Sequence, residues 1–278
     1  MPLIAMTREM GSLGKDVAAG IAERTQRKVV YHEIIEPIAN KMRLRKSHVE
    51  RFLEGKSGLW ERLTTDRTSL SIFTADETFR FLRDGSTAVI RGWGAAHLLS
   101  NIPHVVRVRI CAPIETRVRR MMERLGSDNR EAVENEIHLS EEAHTAITRR
   151  HFGVNWRDPE HYDLVLCTER LSVEECVEEV EGMMQRPRFQ ETAESLRRVD
   201  DLALEWSLRA ALRRDSRTAA AGVTVECHEG TVRLSGLVDT DADARVVAEV
   251  ASAVEGVERL DNQLRSASSA TSRYRREG

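Results

Sequence analysis

Residues 7–16, Thr7-Arg8-Glu9-Met10-Gly11-Ser12-Leu13-Gly14-Lys15-Asp16, carry the side chains and spacing that suit chemistry on an anion. Two glycines three apart let main-chain N–H groups turn inward around a phosphate, and a helix starting there adds its positive N-terminal end. Lys15, directly after the second glycine, is placed to reach a terminal phosphate as a compact point charge. Lysine occurs only at positions 15, 28, 41, 46 and 56 among 42 lysines and arginines, so its use here is informative. The full phosphate-loop pattern asks for Gly, four residues, Gly-Lys and then Ser or Thr. Glu9 stands where its first glycine belongs, and Asp16 where its magnesium-binding hydroxyl belongs. A glycine turn capping an ordinary helix is the alternative that this segment leaves open.

The elements around the loop must hold it open. Leu3 to Met6 is a short apolar strand, and Val17 to Arg24 has helical spacing. Further strands are expected at 28–31, 87–90, 105–111 and 162–167, with helices at 32–44, 69–83, 113–125 and 172–184 between them. Strands alternating with helices in this way imply an α/β fold with a parallel sheet covered on both faces. Arg91-Gly92-Trp93-Gly94-Ala95-Ala96 is a second glycine turn opening a helix. Residues 45–66 read as a mobile helical lobe, and Ser172 with Glu175 reads as a capping box.

Composition limits the function classes. With 278 residues, 41% hydrophobic and 31% charged, the chain has the texture of a globular protein with room for one large and one small domain. A net charge of -3 gives no global basic field for nucleic acid. The absence of a long apolar run and the early Arg8 and Glu9 lead to an expected cytoplasmic location. Cys111, Cys167, Cys176 and Cys227 form no Cys-x-x-Cys pair and read as free thiols.

After a polar stretch at 185–199, expected to be a linker, the pattern changes to helix, strand, strand, helix, strand. Val223, Val225 and Cys227 alternate, Glu229-Gly230 turns, and Val232 and Leu234 alternate again, which is a hairpin signature. Asp239, Asp241 and Asp243 open the next helix, where negative charge is favourable, so capping is preferred to calcium binding. The expected domains are 1–184, the linker, 200–265, and a disordered tail over 266–278.

Two resemblances follow. Residues 1–184 resemble the cytidylate kinase-like family of P-loop proteins, through the opening Met6 to Lys15, the Val89-Ile90-Arg91-Gly92-Trp93-Gly94-Ala95-Ala96 turn, Ala112-Pro113-Ile114-Glu115-Thr116-Arg117-Val118, and Trp156-Arg157-Asp158-Pro159 leading to Tyr162-Asp163-Leu164-Val165-Leu166. Residues 200–265 look like a BON domain, marked by Val223-Thr224-Val225, Gly230-Thr231-Val232-Arg233-Leu234-Ser235-Gly236 and Gly256-Val257-Glu258-Arg259-Leu260-Asp261-Asn262.

The first resemblance implies phosphoryl transfer from ATP to CMP or a related small acceptor, carried by positioning and by cations. Gly11, Ser12, Leu13, Gly14, Lys15 and Asp16 would cradle the donor phosphates, and Asp16 would hold Mg²⁺. Lys15, Arg117, Arg120 and Arg124 would act on the transferring group; a solvated charged face is the other reading of that arginine helix. The departures are Trp93 where the family carries an arginine for the acceptor, His144 where the lid segment carries an arginine three residues after an acidic one (here Glu141), and His32 where an aspartate follows the tyrosine of the second strand. They imply as the alternative a catalytically inactive nucleotide sensor or adaptor. The second resemblance implies binding of a partner protein or a lipid surface.

Overall fold

The computed structural model describes residues 2–31, 33–53, 67–83, 85–92 and 94–267. His32, Trp60, Trp93 and the tail arginines Arg273, Arg275 and Arg276 lie outside them. These residues fall into two compact units, 1–65 with 84–195 and 66–83 with 196–278.

The first unit is built on five parallel strands in the order β2-β3-β1-β4-β5. β1 is Leu3–Arg8, β2 Lys28–Val30, β3 Thr87–Arg91, β4 Val105–Cys111 and β5 Leu164–Cys167. β1 lies in the middle, paired with β3 and β4. Its Leu-Ile-Ala-Met-Thr run is buried throughout, as a strand covered on both faces requires. β4 alternates instead, and each of its arginines meets a carboxylate. Arg107 pairs with Asp163 (3.0 Å), tying β4 to the residue ahead of β5, and Arg109 pairs with Glu9 (2.6 Å).

Helices α1 (Gly14–Thr25), α2 (Ile35–Met42) and α3 (Lys46–Leu53) follow in chain order. The remaining residues expected as a helical lobe, 54–66, lie outside the described residues. Val17 and Ile21 of α1 pack with Ile4, Met6, Val106 and Val108 of the sheet and with Val177 and Val180 of a later helix, 173–184. Each such aliphatic side chain taken from water contributes about 1.5–3 kcal/mol. The capping box at Ser172 and Glu175 is present at the start of that helix.

The second unit includes α4 (Arg67–Arg83) from the middle of the chain. Its side chains are buried without a break from Phe73 to Phe79, so it is enclosed on all sides rather than amphipathic. Arg213 donates from Nε to Ser69 Oγ (2.8 Å), and Arg83 pairs with Asp200 (3.5 Å). The unit's sheet has β6 (Gly222–His228) antiparallel to β7 (Thr231–Val238), with β8 (Arg259–Ser266) parallel to β7. Leu208, Val225, Val232, Leu234 and Val247 form its core. Thr240 and Asp243 close a capping box on the helix 241–252, the role preferred above for that acidic cluster.

The chain between the two resemblances differs from a plain linker. Pro187–Phe189 is a turn of 3-10 helix, Phe189 is buried in the first unit's core, and a helix begins at Ala193 and runs to Arg214. Apolar residues at 189 and 199 are buried, which the polar average of the stretch conceals.

Candidate functional site

The loop after β1 turns where glycine is needed. Gly11 has φ +80, and a Cβ there would lie 2.8 Å from the Arg117 carbonyl oxygen; a Cβ on Gly14 would lie 2.7 Å from Arg8 Cβ. Between them Leu13 adopts the left-handed region (φ 58), a strained choice for a residue with a Cβ. Ser12 donates from both N and Oγ to the Glu9 carbonyl (3.2 and 2.8 Å), closing the turn.

Leu13 begins α1 without a side-chain cap. Asp16 and Val17 donate to Leu13 O, whereas the amides of Leu13, Gly14 and Lys15 have no backbone acceptor among the described residues. Unfilled amides at a helix start are the donor set that suits an oxyanion. The side chains of Lys15 and Asp16 are exposed and make no hydrogen bond or ion pair with any described residue.

A cavity of about 680 Å³ opens over this loop. Gly11 to Asp16 line it together with Arg8, Arg91, Arg120 and Arg124, so five cationic side chains face three carboxylates, Glu9, Asp16 and Glu123. Glu9 is already committed: it accepts from Arg109 (2.6 Å) and from the Ala112 amide (3.2 Å). The wall is therefore electropositive. Arg120 comes from α6, counted as Ile114–Leu125 after the short α5 (Ala95–Leu98), and is braced by Thr168 Oγ1 (2.9 Å) and Thr168 O (2.7 Å). The Thr168 hydroxyl in turn donates to Ser12 O (2.9 Å), coupling that brace to the loop.

Of the residues singled out in the sequence, the structure brings Gly11, Ser12, Leu13, Gly14, Lys15, Asp16, Arg120 and Arg124 to one cavity. Arg117 is not among them. It is buried, donates to Ala112 O (2.8 Å), and pairs with Glu9 (3.4 Å) and Glu141 (2.8 Å), and Glu141 also pairs with Arg157 (2.5 Å). His144 stacks on Trp156 with ring centroids 4.3 Å apart. Thus Glu141 and His144, expected above in a lid segment, are drawn into packing within α7 (Arg130–Phe152) and its neighbours. Burial holds His144 neutral, its pKa pushed down to about 3, and His97 likewise to about 4 with His161 adding repulsion.

Sequence reasoning missed Arg8, Tyr31 and Arg91 as lining residues. The signal available was position: each ends, or directly follows, a parallel strand, on the edge where ligands of such sheets bind. Asp16 suits Mg²⁺ in type, since this cation is commonly held by one or two carboxylates plus substrate phosphates and water.

The sequence profile of the cytidylate kinase-like family matches residues 3–170, and that of the BON domain residues 200–268. No curated protein matches. Among solved structures the chain is similar to an uncharacterized protein from Eubacterium ventriosum ATCC 27560, at 20% identity over 67% of this chain and 100% of that one, TM-score 0.52. It is more distantly similar to shikimate kinase from Acinetobacter baumannii in complex with shikimate (13% identity, 66% and 93% covered, TM-score 0.39) and to deoxyadenosine kinase from M. mycoides with bound dCTP (10%, 65% and 97%, 0.31).

Proposed function

This chain belongs to the cytidylate kinase-like family, and we propose that its cavity binds ATP by the phosphates and passes the terminal phosphoryl group to a small acceptor such as CMP. The observation that carries the reading is the set of unfilled amides at Leu13, Gly14 and Lys15, beside an unpartnered Lys15, in a cavity rich in cations. In the transfer a new bond forms between acceptor oxygen and phosphorus as the bond from phosphorus to the ADP oxygen breaks. Charge on the migrating group is then what the protein must stabilise. Lys15 neutralises the terminal phosphates, while Arg120 and Arg124 offer positive charge from α6. Asp16 is the residue that would hold Mg²⁺, which supplies charge neutralisation between the donor phosphates.

Arg117 takes no direct part in this reading; it secures the floor of the loop through Glu9 and the main chain of Ala112. The second reading, nucleotide binding with little turnover, is favoured by that same observation, because Arg117, Glu141 and His144 are occupied in packing instead of serving a closing lid. Calorimetry with ATP and Mg²⁺ tests binding: heat from the wild type and none from Lys15→Ala supports the cavity, and no heat from either rejects it. A coupled assay for ADP across nucleoside monophosphates separates the two readings, since turnover no faster than that of Lys15→Ala leaves only the sensor.

The BON domain at 200–268 is assigned the output role, contact with a protein partner or lipid surface. No described helix is long and apolar enough to cross a membrane. Co-sedimentation of the full chain with neutral and anionic vesicles, with and without ATP, tests the lipid arm of this assignment.

A further inference from the structure

Cys111 ends β4 and Cys167 ends β5, and the parallel register sets the two side by side. Neighbouring strands run about 4.8 Å apart, inside the span of about 4.4–6.8 Å that a disulfide bridges between Cα atoms. Strand alternation puts both thiols on one face of the sheet, because Ile110 and Leu166, the residues before them, pack with the helix 173–184 on the other. Cys176, fully buried on that helix, belongs to the opposite face. Cys111 Sγ leans across to β5 and donates to Leu166 O (3.6 Å). Both cysteines are half-buried, and Val165, which shares their face of edge strand β5, is 40% exposed, so a small reagent reaches the pair from solvent.

Thr168 follows Cys167 directly and ties the pair to the phosphate loop. Its amide donates to Cys111 O (3.0 Å) and its hydroxyl to Ser12 O (2.9 Å), while the same hydroxyl and its carbonyl accept from Arg120 (2.9 and 2.7 Å). Closing a disulfide draws the two Cβ atoms to about 3.8 Å and fixes the torsion about the sulfur–sulfur bond. The strand ends must turn to allow it, and the hydrogen bonds of Thr168 depend on distance and angle.

We propose that Cys111 and Cys167 form a two-electron thiol–disulfide site whose oxidation loosens the Thr168 brace of Arg120 and weakens the cavity's grip on ATP. The effect on ATP rests on the donor reading above; the bond itself does not. The oxidant is a small disulfide of the glutathione class. Burial, then the Glu9 carboxylate and the Cys167 thiol, push the Cys111 pKa up to about 11, so Cys111 stays protonated and the first attack falls to Cys167. The Cys167 sulfur gives up its proton and displaces one small thiolate, which takes a proton up, leaving a mixed disulfide on Cys167. The Cys111 sulfur then attacks Cys167 Sγ, and its proton goes to the second departing small thiol. Two protein thiols and one small disulfide thereby become one protein disulfide and two small thiols.

The test is titration of the reduced full chain with oxidised glutathione, followed by intact mass and peptide mapping, and by calorimetry with ATP and Mg²⁺ on both forms. The wild type is expected to lose two hydrogens and yield one peptide linking 111 to 167, reversed by dithiothreitol. Cys111→Ser should stop at a glutathione adduct on Cys167, and Cys176→Ser should behave as wild type. The oxidised chain should bind ATP about tenfold more weakly than the reduced one, the scale of losing a charge-assisted contact. In Arg120→Gln, where the brace has nothing to hold, oxidation should change ATP affinity by less than about twofold. Separate adducts on the two cysteines, no reaction at either, or a link from 167 to 176 overturns the site. A 111–167 disulfide with ATP affinity unchanged in the wild type overturns the coupling to Arg120. No ATP heat from the reduced chain sinks the donor reading, while the mass measurement still decides the bond.

Discussion

Lys15 and Arg117 have the same charge and meet opposite fates. Lys15 and its neighbour Asp16 are exposed and unpaired at the mouth of a helix. Arg117 is sealed between Glu9 and Glu141, with a third bond to Ala112 O. The charge left unpaired is available to a ligand, and the charge fully paired is available only to the fold. The difference is one of desolvation: a buried cation must be satisfied inside the protein or by something that enters.

The largest expected effect comes from emptying the paired side. Arg117→Met leaves Glu9 and Glu141 buried and short of a cation, and should cost about 3–5 kcal/mol in urea denaturation. A loss under about 1 kcal/mol, with ATP binding abolished, would reverse the contrast and return Arg117 to the nucleotide. Emptying the unpaired side should do the opposite. Lys15→Ala is expected to weaken ATP binding about a hundredfold in calorimetry while leaving the unfolding free energy within about 0.5 kcal/mol of wild type.

The histidines of the packed side give a pH signature. His97 and His144 are held neutral in the fold, at about 4 and about 3, against the ordinary 6.5. Below 6.5 the unfolded chain binds protons that the folded chain refuses, so stability is full above that pH and falls as the pH drops toward 4 and then 3. The slope approaches about 1.4 kcal/mol per pH unit for each histidine. Replacing His144 by Phe, which keeps the stack on Trp156, should flatten the slope in pH-dependent denaturation; an unchanged slope would mean that His144 is not buried neutral. The smallest effect belongs to Asp16→Asn. Without Mg²⁺ the carboxylate repels phosphate, so the substitution should tighten metal-free ATP binding by about 1 kcal/mol and shrink the gain that Mg²⁺ brings.

Much of the molecule was legible in order. The β1 strand, the glycine loop and α1 follow from neighbours in sequence, and so do the hairpin of β6 and β7, the capping box at Ser172 and the acidic opening of the helix 241–252. The three arginines of α6 show where such reading stops. Positions 117, 120 and 124 share a face by spacing, yet Arg120 and Arg124 line the cavity while Arg117 turns to Glu9 and Glu141. Periodicity names a face, not what stands opposite it. Arg91 was read only as the start of a glycine turn, for the related reason that a strand's last residue gives no local sign of being buried on a tyrosine sixty positions earlier in the chain. The helix 67–83 likewise reads as one more α/β crossover element, but it belongs to the compact unit that contains residues 196–278.

What the chain settles by itself is backbone: Gly11 and Gly14 permit the turn, and the residues after them form a helix whose first amides point nowhere inside. Which charges are spent and which are kept was decided only on folding. Glu9, Arg117 and Glu141 are more than a hundred positions apart end to end, as their numbers show, and Arg8 and Arg91 stand on different strands. Pairing energy depends on distance and burial, and neither is written in the order of residues.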